Sequence, residues 1–146
     1  WWAEAMELVN SMVVKTIKGA HPDKKGQFEV MSEFRDEEED KEFMERLFKE
    51  TVRNDAEYEK LVAERTKNWE LERIALVDVI LLKMALSEIM NFPSIPVKVS
   101  INEYIDISKD YSTPKSKVFI NGVIDKLVIE LKESGAFKKT GRGLIE

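Results

Sequence analysis

Four residues in the last long helical segment of the sequence have side chains and spacing suited to holding a single-stranded nucleic acid. Lys115, Phe119, Gly122 and Lys126 recur at i, i+4, i+7 and i+11, which places them on one flank of a helix that turns ~100° per residue. Lysines can contact phosphates, a phenyl ring can stack on an unpaired base, and a glycine lets a nucleic-acid backbone come close. This flank is therefore a candidate RNA-binding surface.

Two more polar residues, Lys117 and Asn121, lie on the other side of the apolar stripe near the same end of this helix, and a helix N-terminus itself favours a bound phosphate. Periodicity alone favours a simpler interpretation of the flank. In that interpretation Phe119 packs at the edge of the apolar stripe, and Gly122 allows a second helix to cross closely. Both interpretations require a helix over residues 114–133.

The sequence offers little for catalysis. No Ser lies in a nucleophile elbow and no Gly-rich loop follows a strand pattern. The only histidine, His21, lies in a turn-rich loop with no second metal ligand beside it. Seven acids between Glu33 and Glu42 lack the spacing and central Gly of an EF-hand, so they are interpreted as the charged start of a helix. We therefore expect a binding protein with no cofactor and no metal, and not an enzyme.

The composition limits the class of protein. A net charge of −5 argues against gripping nucleic acid over the whole surface, yet residues 109–146 carry eight Lys and Arg against five Asp and Glu. A localised anion contact fits this uneven charge. The absence of cysteine, of a signal peptide and of a long uncharged apolar run predicts a cytoplasmic protein that does not enter a membrane. The first residue is Trp, which suggests a fragment of a longer protein.

The stretch from Asn68 to Asn91 predicts the helix around which the others pack. Apolar residues fall on nearly every face of it, as in a helix covered on several sides. Asn68 is a suitable N-cap, Glu70 and Glu72 favour the positive end of the helix dipole, and Pro93 ends the helix. The sequence therefore predicts an all-α bundle.

Further helices are predicted before and after this one. An amphipathic helix covers residues 1–18, a second apolar stripe runs from Phe43 to about residue 63, and a third helix covers residues 97–110. Thr113 is the predicted N-cap of the last helix, and Pro114 is its first residue. The tail from residue 138 is expected to be loosely ordered. We divide the chain into helical subdomains at 1–68 and 69–146 that share one core.

Two segments resemble the signature of the NusB family of bacterial transcription antitermination factors. They are Ile95–Glu103 (IPVKVSINE) and Lys117–Asp125 (KVFINGVID), and the central helix from Leu82 to Ile89 fits the same pattern. The similarity runs from about Trp69 to Leu131. It implies two packed three-helix subdomains, with an N-terminal subdomain that is incomplete or atypical.

The resemblance also implies partners. NusB proteins pair with the small-subunit ribosomal protein NusE and bind the boxA element of ribosomal RNA leader transcripts. The complex helps RNA polymerase to read through terminators. The expected partners are therefore single-stranded boxA-like RNA, NusE and the RNA polymerase antitermination complex.

The resemblance assigns roles to individual residues. Phe119 matches the family aromatic implicated in RNA contact, and Lys115, Lys117 and Asn121 fall in the same RNA-proximal helix start. Asp78 matches an acidic position of the NusE-facing surface. The alternative for Asp78 is a buried carboxylate that is hydrogen-bonded to a neighbouring chain segment.

The chain departs from the family near its start, because residues 1–42 contain one Arg, Arg35, in place of the usual Arg-rich segment. Two other functions stay open. The chain could be the N-terminal RNA-binding module of a ribosomal RNA cytosine methyltransferase, which requires a catalytic domain downstream. It could also be a protein-binding helical adaptor.

Overall fold

The computed structural model describes residues 2–19, 36–66 and 74–145. Within these ranges the regular structure is helical and no strand occurs, which confirms the all-α prediction. The helices are α1 (Trp2–Gly19), α2 (Glu37–Arg53), α3 (Asp55–Arg65), α4 (Leu76–Asn91), α5 (Val97–Tyr111), α6 (Ser116–Glu133) and a short 3-10 helix (Gly141–Leu144).

Contacts divide the chain into two compact units, residues 1–42 and residues 43–146. In the first unit, α1 agrees with the amphipathic helix predicted for residues 1–18. The predicted acidic helix start is also found, since α2 begins with four acids and the Asp36 carboxylate accepts hydrogen bonds from the N–H groups of Glu38 and Glu39, each at 3.1 Å. The predicted loop around His21 lies outside the described residues, and the subdomain boundary between residues 68 and 69 stays a prediction.

A break at Asn54 divides the predicted apolar stripe of residues 43–63 into α2 and α3. The Asn54 side-chain N–H donates to the carbonyl of Glu50 at 2.9 Å, and its backbone, at φ −102° and ψ 15°, leaves the helical region. Because an Asn side chain can replace a backbone partner, it favours such an interruption. The outcome is two helices where periodicity alone predicts one.

The central helix is shorter than predicted. Ala75 is extended, at φ −63° and ψ 136°, so α4 begins at Leu76 and a helix that starts at Asn68 is wrong. The proposed cap itself lies outside the described residues. Pro93 ends the helix as predicted, and Leu82, Ala85 and Leu86 are fully buried. Helix α4 packs against α3, α5 and α6, which confirms its central position.

The core of the second unit forms where these four helices meet. Its most buried large side chains lie on α3, α4 and α6, and they are Tyr58, Leu82, Leu86, Ile89, Ile120, Ile124 and Leu127. Two ion-pair contacts hold α3 in place at the edges of this core. Lys83 of α4 lies 2.7 Å from Asp55, and the Nε of Arg65 lies 2.7 Å from Glu130 of α6. The apolar stripe predicted on α6 is therefore the stripe that the structure buries.

The tail after α6 is ordered, contrary to the prediction. Lys139 Nζ donates to the carbonyl of Phe92 at 3.0 Å, and the Thr140 N–H donates to the carbonyl of Pro93 at 2.9 Å. Gly143 is buried against the same Pro93 carbonyl. The carbonyls of Phe92 and Pro93, just after α4, are not used within a helix and accept donors from the tail. These hydrogen bonds fix the tail.

Candidate nucleic-acid interface

The start of α6 is held by a carboxylate from the central helix. Asp78 is 4% exposed, and its two oxygens accept hydrogen bonds from the hydroxyls of Ser112 at 2.5 Å and Ser116 at 2.7 Å. Ser116 also accepts the N–H of Thr113 at 3.1 Å. The connection between α5 and α6 is therefore fixed at both of its ends to one buried group. We call residues 111–117 the α5–α6 turn.

This arrangement shows the intramolecular alternative for Asp78, and its contact with a partner protein stays a prediction. A contact with a partner protein needs an accessible carboxylate, whereas this one is buried and its oxygens are occupied by hydroxyls of its own chain. The structure supports the intramolecular role. The acid lies inside an apolar helix because the buried hydroxyl of Ser116 and the half-buried hydroxyl of Ser112 need an acceptor there.

The predicted start of α6 differs from the structure by two residues. The helix begins at Ser116, and Pro114 lies in a turn that precedes it. Thr113 still takes part, because its carbonyl accepts the Ser116 N–H at 2.9 Å and its own N–H is bound by the Ser116 hydroxyl. This reciprocal contact resembles a capping box, with Ser in place of the usual Glu.

Phe119 lies in the core. Its side chain is 6% exposed and belongs to the cluster that contains Ile120, Ile124 and Tyr104. The side chain therefore takes the packing role of the simpler interpretation, and its contact with RNA stays a prediction. Phe119 lies one residue, or ~100° around the helix, from the centre of the apolar stripe. Side chains of neighbouring helices belong to the same core cluster.

The remaining predicted residues on α6 lie at the surface or near it. Lys115, Lys117 and Lys126 are exposed. Gly122 is also exposed, and a Cβ built there meets no heavy atom within 4 Å, so the alternative of a close helix crossing at this residue is wrong. Asn121 is half-buried and its amide donates to Asp125 at 3.0 Å. The structure thus has two exposed lysines at the α5–α6 turn and, beyond them, an open strip of α6 at Gly122.

Lys126 lies further from this group than the flank pattern suggests. Eleven residues of helix separate Lys115 from Lys126, which corresponds to about 16 Å along the axis. Lys115 and Lys117 lie at the start of the helix, whereas Lys126 could reach only a phosphate further along a bound strand.

Sequence reasoning missed an exposed aromatic residue. Tyr111 is the last residue of α5 and is 54% exposed, and Val118 on α6 is 66% exposed. The available signal was its position, since an aromatic residue between Asp110 and Ser112 at a helix end has few apolar neighbours to cover it.

A groove between α2 and α4 exposes apolar side chains that were expected in the core. Phe48 is 70% exposed and Leu76 is 75% exposed. The groove has a volume of about 460 Å³, and it is lined by Met44, Leu47, Phe48, Thr51, Val52, Asp55, Leu76, Val79, Ile80, Lys83 and Met84. Lys83 is the only basic residue of this lining and it is paired with Asp55, so the groove does not suit a nucleic acid.

The described ranges contain neither a metal-binding cluster nor a membrane-spanning helix. Across residues 2–19, 36–66 and 74–145, no group of three or more His, Cys, Asp or Glu could hold a metal ion. No helix in the same ranges is long and apolar enough to cross a bilayer.

Comparison with known proteins extends the family resemblance over most of the chain. The NusB family model matches residues 4–128. The transcription antitermination protein NusB of Salinibacter ruber is 46% identical over 105 residues, which cover 72% of this chain and 66% of that protein. The NusB of Chloroherpeton thalassium is 34% identical over 142 residues, which cover 97% of this chain and 63% of that protein.

A solved structure supports the same relationship. T. maritima NusB matches with a TM-score of 0.60 and 31% identity over 69% of this chain and 70% of that one. The chain spans just under two thirds of the lengths of the two curated relatives. By name, these relatives are antitermination proteins and not enzymes, in agreement with the prediction of a binding protein.

Proposed function

This chain belongs to the NusB family, and we propose that it acts in transcription antitermination by binding a boxA-type, single-stranded element of ribosomal RNA leader transcripts. In this proposal it acts in the cytoplasm with the ribosomal protein NusE, as part of the RNA polymerase antitermination complex. The single observation that carries the proposal is the fixed α5–α6 turn, which presents two exposed lysines beside an open strip of α6.

The chemistry of this surface suits a single strand. Lys115 and Lys117 are exposed and belong to a segment with a local excess of positive charge. They can replace the counterions of neighbouring phosphates. Gly122 leaves room for a sugar-phosphate backbone against the helix. An acidic protein with one basic surface of this kind favours a localised RNA contact over a general one.

The anchoring of the turn adds to its suitability for binding. Both ends of the α5–α6 turn are hydrogen-bonded to the buried carboxylate of Asp78. A surface that is already ordered loses less conformational entropy on binding. The carboxylate also lies beside the N-terminus of α6, so we expect the lysine side chains, and not the helix end, to provide the attraction for phosphate.

NusE is proposed as the protein partner from family membership. Asp78 does not serve as its contact in this proposal, because that carboxylate is buried. NusE would instead bind an accessible surface of the helical units, and its presence would raise the affinity for RNA by adding contacts to the same strand.

The experiment measures binding of a fluorescent boxA RNA by anisotropy, with and without NusE, over a range of salt concentrations. We expect binding that weakens steeply with salt. Lys115→Gln and Lys117→Gln should each lower the slope of log K against log salt by about 0.7. Lys60→Gln, at an exposed position on α3, is the matched control and should leave the slope unchanged.

Two results would overturn the proposal. One is the absence of RNA binding both with and without NusE. The other is an equal response of the Lys60 control and the two turn variants, since binding would then not depend on this surface. A scrambled RNA of equal length and charge separates recognition of boxA from attraction to any single strand.

A further inference from the structure

The groove between α2 and α4 has apolar side chains exposed on both of its walls. The large apolar residues that are most exposed there are Met44, Phe48, Val52, Leu76 and Ile80. Large exposed apolar patches on proteins mark interaction sites. We propose that this groove binds an amphipathic helix of a partner protein, with the apolar face of that helix inward and a basic residue at the end beside Asp55. The RNA surface proposed above is not involved.

Each wall of the groove is formed by one face of a helix. The α2 wall has residues at spacings of three and four, and they are Met44, Leu47, Phe48, Thr51 and Val52. The α4 wall has the same spacing, and its residues are Leu76, Val79, Ile80, Lys83 and Met84. Both walls extend over about 12 Å of helix axis, or about two turns. Because ridges of side chains on one helix pack into the grooves of another, this shape suits a third helix.

Contacts at both ends of the groove hold its walls in place. At one end, Arg46 of α2 donates to the carbonyl of Asn91 at 2.7 Å, and its guanidinium lies 4.7 Å from the ring centroid of Phe92. At the other end, where α2 gives way to α3, the Lys83 ammonium of α4 lies 2.7 Å from the Asp55 carboxylate. The groove is therefore formed before a partner arrives, and a preformed surface loses less conformational entropy on binding.

The charge at one end of the groove determines the class of partner. The Lys83 ammonium lies 2.7 Å from the Asp55 carboxylate and 3.0 Å from that of Glu59, so one positive charge is shared between two negative ones. The lysine side chain is 11% exposed, whereas the carboxylate side chains are 55% and 65% exposed. The surface at this end is therefore anionic. A helix with Arg or Lys at the matching end complements it, whereas an acidic helix is repelled.

A second copy of this chain fits the groove less well than a different protein does. A two-fold dimer places the same surface on both subunits, and two concave surfaces leave a gap where they meet. A helix bound in an apolar groove contacts it through residues at i, i+3, i+4 and i+7. The partner is therefore expected to have apolar residues at this spacing over about two turns, with a basic residue next to them.

The test measures binding of three labelled synthetic peptides of about 15 residues to the full chain by fluorescence anisotropy. The first peptide has leucines at i, i+4 and i+7 and two arginines at one end. The second has glutamates in place of the arginines, and the third has the composition of the first with no apolar face. We expect the first to bind with a micromolar Kd, the second to bind about fivefold more weakly or worse, and the third not to bind.

Substitutions in the groove separate the apolar and ionic contributions. Phe48→Ser should weaken binding of the arginine peptide by about tenfold or more, because buried aromatic side chains contribute most at such interfaces. Asp55→Asn should weaken it by about two- to fivefold at low salt. The matched controls are Ile129→Ser, at an apolar residue that is 58% exposed on α6, and Glu103→Gln, at an exposed acid on α5. Neither control should change the affinity.

Four results would overturn the proposal. The first is that the arginine peptide fails to bind the unmodified chain, and the second is that the arginine and glutamate peptides bind equally. The third is a lower midpoint of urea unfolding for Phe48→Ser, because the groove would then be filled by another segment of the same chain. The fourth is a dimer, seen by light scattering, that Phe48→Ser dissociates, because a second copy would then occupy the groove.

Discussion

The carboxylate of Asp78 in α4 accepts a hydrogen bond from the hydroxyl of Ser116, the first residue of α6, at 2.7 Å. Its other oxygen accepts from Ser112, which follows the last residue of α5. One buried acid thus joins three helices at the place where the proposed RNA surface begins. The position of that surface depends on a residue that RNA cannot touch.

We expect Asp78→Ala to lower the free energy of unfolding by about 2–4 kcal/mol, since hydrogen bonds to charged groups contribute about 1.5–3 kcal/mol each. Asp78→Asn keeps one acceptor oxygen and should lose less. Urea unfolding followed by circular dichroism measures both. Asp125→Ala, at an exposed residue of α6, is the control and should change stability little. A fully stable Asp78→Ala would mean that the two serines do not depend on this carboxylate.

Phe119→Ala should act on stability. We expect it to lower the free energy of unfolding by about 3–5 kcal/mol, because removal of a buried phenyl group loses its burial and leaves a cavity. Phe119→Leu should lose less, since it fills most of the space. The midpoint of urea unfolding reports both values. A Phe119→Ala variant with unchanged stability and lost RNA affinity would show that this residue contacts RNA and contributes little to the core.

Helix α6 shows which features of the fold can be predicted from the sequence and which cannot. The apolar stripe of α6 and the stop at Pro93 follow from periodicity and backbone chemistry, and the structure has both. The burial of Phe119 does not follow, because a residue at the edge of a stripe is covered or open according to which neighbour reaches it. Periodicity indicates which face of a helix is apolar. It does not indicate which neighbouring helix covers that face or how far the cover extends.

Two further differences arise from hydrogen bonds of side chains. At the break between α2 and α3, the Asn54 amide donates to the carbonyl of Glu50, a contact that an apolar pattern cannot register. The role of Asp78 depends on serines that lie 34 and 38 positions later in the sequence. Contacts of this range become visible only when the fold is known.

Gly122→Ala should raise the free energy of unfolding by about 0.5–1 kcal/mol, since Ala is the better helix former and the added methyl group meets no atom within 4 Å. If the RNA backbone passes over this residue, the same substitution should weaken RNA binding. Thermal unfolding and anisotropy measure the two effects on one sample. A loss of stability would contradict the open surface seen at Gly122.

Tyr104 should affect stability at alkaline pH. Burial raises the pKa of its hydroxyl far above the usual value of 10.0, and the neighbouring Glu88 carboxylate raises the pKa further. The folded state therefore holds this proton where the unfolded chain releases it, so the contribution is complete below about pH 10 and declines as the pH rises further.

We expect the free energy of unfolding of the unmodified chain to fall above about pH 10, and Tyr104→Phe to reduce that fall. Near neutral pH the Phe variant should itself be less stable, because Glu88 then keeps only its hydrogen bond from Ser100. Urea unfolding at a series of pH values measures both effects. Identical alkaline slopes for the two proteins would show that Tyr104 does not titrate on unfolding.

Gly143, the buried glycine of the tail, packs against Pro93 in the loop after α4. A Cβ at Gly143 would lie 2.0 Å from the carbonyl oxygen of Pro93, and that oxygen also accepts the N–H of Thr140. One atom therefore serves as both an acceptor and a steric limit. Any larger residue at Gly143 would need a compensating shift at Pro93, fifty positions earlier in the chain. Substitutions in the tail and in the loop after α4 should therefore co-vary among relatives.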